Sequence, residues 1–256
     1  MQANVDPKVL EAKVKAMYER VALEPAAGFH FEMGRALAER LGYPSGILDE
    51  VPAEAIESFA GVGCHFGLAK LERGESVLDL GSGSGLDTFV AARLVGPLGR
   101  VIGVDMTAAQ RQKAERLRAA NGFAQIEYVE SYIEDLPFDD ARFDCVMSNG
   151  VLNLAQDKAA VFQEAARVLR PGGRLAISDI VTGVALPESV VCNADLWAAC
   201  IGGAMQREAY QGAVEQAGLR IQVVQPNPEY RFLSDRADGA AQRFAVQSIS
   251  LVAVKE

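Results

Sequence analysis

The stretch Val77-Leu78-Asp79-Leu80-Gly81-Ser82-Gly83-Ser84-Gly85-Leu86-Asp87 decides how the rest of the chain is read. A short apolar run suited to a buried strand feeds directly into a Gly-x-Gly-x-Gly turn, and a helical pattern follows. Glycines at such a turn let the backbone take unusual dihedrals and let a ligand lie against the main chain. A plain tight turn explains many lone glycine runs, so the neighbouring residues carry the distinction. A dinucleotide fingerprint spaced Gly-x-Gly-x-x-Gly from Gly81 needs a small residue at position 86, where Leu86 stands. A phosphate-cradling loop ends in Gly-Lys-Ser/Thr, which this turn lacks. Asp79, just before the turn, repels a pyrophosphate and suits a ligand bearing an ammonium group. S-adenosyl-L-methionine carries an ammonium and a sulfonium and no phosphate, so the negative charge helps to choose it as cofactor.

Outward from this turn, short apolar runs alternate with amphipathic stretches. The runs are Val77–Leu80, Val101–Val104, Ile126–Val129, Phe143–Met147 and Leu175–Ile180, with helical segments near 87–95, 108–121 and 158–169 between them. Strand–helix repetition of this kind predicts a parallel sheet with helices on both faces. Pro171-Gly172-Gly173 is expected to stop a helix and turn into the next strand. In the tail, Ile221–Val224 and Ser248–Val254 read as two strands able to pair antiparallel at the sheet edge. Residues 1–60 differ in texture: Val9–Val21 and Gly34–Leu41 have helical spacing, and Pro52 with Glu54 and Glu57 marks another helix start. They are expected to form a helical cap, with residues 61–256 as the main domain.

Asp105 ends the second strand, 24 positions after Gly81. An acidic side chain there can accept both hydroxyls of a ribose; its other reading is a cap for the helix that starts after Thr107. Met106 offers a packing surface for an adenine, although a Met at a strand end is commonly core. Tyr132-Ile133-Glu134-Asp135-Leu136-Pro137 follows the third strand and reads either as the flank of the adenine edge or as a polar loop. Ser148-Asn149 closes the fourth strand at the carboxyl edge, where ligands bind in open α/β sheets.

Composition narrows the function classes. The 256 residues hold 25 Lys and Arg against 34 Asp and Glu, a net charge of −9, which argues against a nucleic-acid partner because phosphate neutralisation needs clustered cations. Half the residues are hydrophobic, which excludes disorder as the main state. No apolar run reaches the length of a membrane span, and Met1–Glu11 lacks a signal-peptide profile. A cytoplasmic protein without a membrane partner is expected, its four cysteines read as free thiols.

Taken together, these segments resemble the class I S-adenosylmethionine-dependent methyltransferases, and more narrowly the arsenite methyltransferase family. The likeness continues through Gly103-Val104-Asp105-Met106-Thr107, Ser148-Asn149-Gly150-Val151-Leu152-Asn153-Leu154, Val168–Gly173, Ser178-Asp179 and Leu196-Trp197-Ala198-Ala199-Cys200-Ile201-Gly202-Gly203-Ala204. The resemblance implies a Rossmann-like, mostly parallel α/β sheet of seven strands with the last antiparallel. It places Asp79, Gly81, Gly83 and Gly85 around the methionine part of the cofactor, Asp105 at the ribose, and Met106 and Ile133 at the adenine, with Ser82, Asp87 and Glu134 as further cofactor-binding residues. Asn149 and Val151 would face the cofactor from the fourth strand. Tyr18 is the candidate for a tyrosine of the N-terminal helix near the sulfonium; ordinary helix packing is its other reading.

The family is expected to hold trivalent arsenic with thiolates, and this chain matches one of those positions, Cys200. The family's Ser-Asn-Cys becomes Ser148-Asn149-Gly150, and its Gly-Cys-Gly becomes Gly61-Val62-Gly63, with Cys64 two places later as a displaced ligand beside His65. If their segment is one helix, Cys192 and Cys200 lie too far apart along it for a disulfide or a shared ligand. Cys145, inside a strand, reads as a small core hydrophobe. His30 and His65 have no metal-ligand spacing, and no metal cofactor is expected. The expected substrate is therefore a small molecule or metalloid, with arsenite first. An organic O-, S- or C-acceptor is the alternative, for which Gly150 enlarges the pocket.

Overall fold

The computed structural model describes residues 6–187, 202–232, 239 and 242–256. Cys192, Trp197 and Cys200 lie outside the described residues. Five strands follow in turn along the chain: β1 (Ser76–Leu80), β2 (Arg100–Asp105), β3 (Ile126–Glu130), β4 (Phe143–Asn149) and the longer β5 (Leu169–Thr182). The two-residue β6 (Met205–Gln206), β7 (Leu219–Pro226) and β8 (Gln247–Lys255) follow. The sheet order is β3-β2-β1-β4-β5-β8-β7, with β6 paired to β5 beside this path. Every pairing is parallel except the two made by β8. The order reverses direction between β1 and β4, the place where open α/β sheets leave a crevice for ligands.

The alternation of side chains along each strand divides the core into two layers. Leu78, Leu80, Ile102, Val104, Val146 and Ile177 pack on one face. Val77, Val101, Cys145, Met147 and Ala176 pack on the other. Asp79 shares its face with Val77 and is buried there, its strand partners being Gly103 and Met147.

Helix α1 (Pro7–Leu23) starts at Asp6, whose side chain accepts from the Lys8 N–H at 2.9 Å, with Pro7 preset for the first turn. Four short helices follow: α2 (Arg35–Arg40), α3 (Ser45–Leu48), α4 (Ala53–Glu57) and α5 (Phe66–Ala69). Their apolar residues Leu37, Leu48 and Ile56, with Tyr43 and Phe59 of the connections, join Phe89 and Val90 of α6 (Leu86–Val95) in one cluster. Helices α7 (Ala108–Ala120), α8 (Lys158–Val168) and α9 (Arg207–Gln216) follow, with a 3-10 turn at Leu152–Leu154 before α8. Leu10 and Val14 of α1 instead bury against Tyr18, Met106 and Leu154, over the carboxyl edge of the sheet. No helix among the described residues is long and apolar enough to cross a membrane.

Two features differ from the sequence expectation. Helix α8 stops at Val168 and β5 begins at Leu169, so Pro171-Gly172-Gly173 does not end the helix. These residues form an irregularity inside the strand, between the Phe143–Leu169 and Cys145–Arg174 pairs. Proline has no N–H to give the ladder, and Gly172 takes a left-handed φ of 78° that lets the strand step outward and resume. The two late strands do pair antiparallel, but β8 inserts between β5 and β7 and leaves β7 as the edge.

Candidate active site

The carboxyl ends of β1, β2 and β4 open into a cavity of about 410 Å³, roofed by α1. Its floor is the glycine turn. Gly81, Gly83 and Gly85 all have positive φ, at 69°, 54° and 95°. A Cβ on Gly81 would collide with Val151, and one on Gly85 with the Tyr128 hydroxyl, so two of the three are also fixed by space. The turn is stitched to β2: Ser82 N–H donates to Val104 O at 2.9 Å, and Gly83 N–H to Asp105 Oδ2 at 3.0 Å. Thr107 N–H donates to the other oxygen, Asp105 Oδ1, at 2.7 Å. Asp105 thus serves the local backbone, as a cap does, while its remaining lone pairs face the cavity.

Deeper in, Asp79 Oδ2 accepts from the Thr88 hydroxyl at 2.7 Å. Burial, reinforced by the charge of Asp87, holds the Asp79 carboxyl well above the usual carboxylate range. Asp105 and Glu134 are also raised by burial, against backbone N–H groups that favour their ionised forms. Asn149 Nδ2 donates to Asp87 Oδ2 at 3.0 Å and to Gly63 O at 2.9 Å, and its Oδ1 accepts from Val62 N–H at 2.8 Å. One amide therefore ties the end of β4 to the start of α6 and to the loop before α5. The Ser82 hydroxyl, on the cavity wall, has no hydrogen-bond partner among the described residues.

The electrostatic composition of the wall is one-sided. Its described residues include six carboxylates, Glu11, Asp79, Asp87, Asp105, Glu134 and Asp157, and no Lys, Arg or His. Such a cavity attracts a cationic ligand and opposes an anionic one.

Asp79, Gly81, Ser82, Gly83, Gly85, Asp87, Asp105, Met106, Ile133, Glu134, Asn149 and Val151 all line this cavity, as does Tyr18 from the roof. Cys64 does not. It packs at the edge of the apolar layer that contains Tyr43 and Phe89, and burial beside Asp87 pushes its thiol up to about 12, so the thiolate a soft ligand needs is disfavoured. Cys200 lies outside the described residues. Cys145 is fully buried in β4, its thiol likewise pushed to about 12. His65 is buried away from the cavity with Nδ1 3.5 Å from the Ser178 hydroxyl, and burial lowers its pKa.

Sequence reasoning missed Glu11, Ser84 and Gln110. Ser84 Oγ donates to Gln110 Oε1 at 2.5 Å, and Gln110 Nε2 reaches Tyr18 O at 2.9 Å, joining the turn to α7 and the roof. For Glu11 a signal was present. Leu10, Val14 and Tyr18 recur at helical spacing, and Glu11 borders that face.

Residues 71–218 match the family model described as a methyltransferase domain, so the chain belongs to that family. Within it, an arsenite methyltransferase from Halobacterium salinarum is 41% identical over 201 residues, 77% of this chain and 51% of the relative. The human arsenite methyltransferase is 43% identical over 138 residues, 50% of this chain and 37% of the relative. The chain spans about half the length, or less, of these curated relatives. The crystal structure of an arsenic(III) S-adenosylmethionine methyltransferase from Chlamydomonas reinhardtii superposes with a TM-score of 0.64 at 29% identity, covering 87% of this chain and 74% of the other.

Proposed function

We propose that this chain is an S-adenosyl-L-methionine-dependent methyltransferase acting on a small soft acceptor, thiol-bound trivalent arsenic. The observation that supports the cofactor is the cavity wall, whose described residues include six carboxylates and no Lys, Arg or His around a glycine turn, although Lys15 pairs with Glu11 at its margin. A phosphate-bearing nucleotide would meet net repulsion there, whereas an ammonium and a sulfonium are favoured. The residues present fit this group. Asp79 is a buried carboxyl on the cavity wall that would receive an ammonium, the Ser82 hydroxyl is without a partner among the described residues, and Asp105, at the end of β2 on the same wall, would receive the ribose. Bound there, the cofactor supplies a methyl group activated by its sulfonium.

The chain's own residues contribute alignment and exclusion of water. The glycine turn brings the main chain against the ligand, Met106, Ile133 and Leu154 supply apolar surface, and Tyr18 covers the roof. An arsenic or sulfur lone pair needs no strong base, which suits a wall whose described residues contain no histidine. The arsenic acceptor draws its support from the likeness to the arsenite methyltransferases. Cys200 would supply a thiolate and Cys64 a second one only after moving. A reducing cytoplasm suits both the free thiols and a thiol-bound acceptor.

Calorimetry should show S-adenosylhomocysteine binding and no binding of NAD. Incubation with S-adenosylmethionine, arsenite and a small thiol should then release S-adenosylhomocysteine, and Cys200→Ser should stop that release while leaving cofactor binding intact. Release with an organic thiol, hydroxyl or carbon acid and none with arsenite would move the acceptor to the organic class. Gly150 and the outlying Cys64 are the features that would explain such a result.

A further inference from the structure

Tyr43 lies in the connection between α2 and α3, far from the glycine turn in sequence, and is 2% exposed. Its ring meets Phe59 and Phe66 edge-on, with centroids 5.2 and 5.8 Å away. Its hydroxyl has a more specific environment. It lies 2.5 Å from Asp87 Oδ1 and 3.1 Å from Asn149 Nδ2, while Asn149 Nδ2 also reaches Asp87 Oδ2.

The direction of these bonds is fixed. Asn149 Oδ1 accepts from the Val62 N–H, so its Nδ2 is the donating end. Asn149 Nδ2 has two N–H groups for three acceptors, Gly63 O, Asp87 Oδ2 and Tyr43 Oη, so one N–H is shared between two of them, while Tyr43 Oη gives its own proton to Asp87. Burial and the charge of Asp87 raise the phenol well above its ordinary range, which keeps that proton in place. Asp87 and Asn149 line the cavity, and Tyr43 does not. The other ionisable groups around Asp87 are Asp79 on β1, Cys64 and His65, all of which feel its charge.

We propose that Tyr43 is a positioning residue, whose hydroxyl locks the Asp87 carboxylate and the Asn149 amide into the arrangement that receives the cofactor. This rests on the cofactor reading above. Two neighbouring carboxylates repel, and Asp87 is kept in place beside Asp79 by a donor on each of its oxygens. Removing the Tyr43 donor leaves a buried carboxylate oxygen without its bond and frees Asp87 to turn. A hydrogen bond to a charged group is large enough for the effect to reach about 10-fold or more in affinity.

The test is S-adenosylhomocysteine binding to Tyr43→Phe, which keeps the ring packing and loses only the hydroxyl. The affinity should fall about 10-fold or more, and in an Asp87→Asn background the same substitution should weaken binding by less than about twofold, the bond being charge-assisted. A purely structural role predicts a lower melting temperature with unchanged affinity, and that result overturns the proposal. Equal losses in both backgrounds overturn it too. If Tyr43→Phe does not fold, site-specific 3-fluorotyrosine at position 43 retains ring and hydroxyl with a stronger donor. It should change the affinity by at least about twofold, and an unchanged affinity counts against the proposal. Wild-type protein that binds no S-adenosylhomocysteine at all overturns the cofactor reading, and this inference falls with it.

Discussion

Strands β1 and β5 each bury an aspartate near the carboxyl edge of the sheet, and the two differ in what they face. Asp179 on β5 is closed in. Its Oδ2 accepts from the Tyr210 hydroxyl at 3.0 Å and its Oδ1 from the Ile180 N–H at 2.8 Å, and it is 0% exposed. Burial pushes its carboxyl up to about 7, against those donors and the Lys158 cation. Asp79 on β1 is equally deep and also takes one hydroxyl and one backbone N–H, both from Thr88, but it opens onto the cavity. Burial raises both acids. The two have like sets of donors and differ in that Asp79 lines the cavity and Asp179 does not, so burial alone does not mark a site. Access to a cavity is the distinguishing observation.

The largest effect that can break this comparison is Asp79→Asn. The amide is nearly isosteric, so the fold should persist while S-adenosylhomocysteine affinity falls by about 100-fold, the scale of a lost buried charge pair. Asp179→Asn measured in the same calorimeter should leave that affinity within about threefold, consistent with additivity between separated sites. Equal losses would erase the distinction between the two aspartates.

A smaller effect follows from ionisation. In the empty protein the Asp79 pKa is raised, and an ammonium beside it favours the carboxylate, so binding releases a proton. Affinity should therefore decline as pH falls below the Asp79 pKa of the empty protein, by at most about tenfold per pH unit. Titrations in two buffers of different ionisation enthalpy would reveal the proton, and Asp79→Asn should abolish it.

For Asp179 the linkage falls on stability. Its folded pKa of about 7 exceeds the unfolded value, so between roughly pH 4 and 7 the native state holds a proton that the unfolded state has lost. That contribution is complete below the unfolded pKa and disappears as pH rises through about 7. Relative to Asp179→Asn, the wild type should lose up to about 1.4 kcal/mol per pH unit across this window in urea unfolding. Parallel curves for the two proteins would show that Asp179 carries no such proton.

The sequence made the glycine turn, Asp79 and Asp105 readable because their spacing is local: strand, turn and helix follow one another without interruption. Strand and helix identities between Ser76 and Thr182 were readable for the same reason, since apolar periodicity reports on burial. Tyr43 and Gln110 were not, because their partners lie 44 and 26 residues away and no local pattern encodes a tertiary hydrogen bond. Cys64 shows the opposite failure. Its neighbour Gly61 lines the cavity, yet the bonds that pin Val62 and Gly63 to Asn149 set a path on which the thiol turns into the apolar layer. Sequence proximity does not determine direction.

The position of β8 has a consequence for how the chain is made. Residues 247–255 are translated after every other described strand, yet they occupy an inner place in the sheet. Until they leave the ribosome, β5 has an unpaired flank and β7 has no strand to join. A nascent chain is therefore expected to assemble β1 to β5 early and to close the sheet only once β8 arrives, when a single insertion completes two antiparallel ladders.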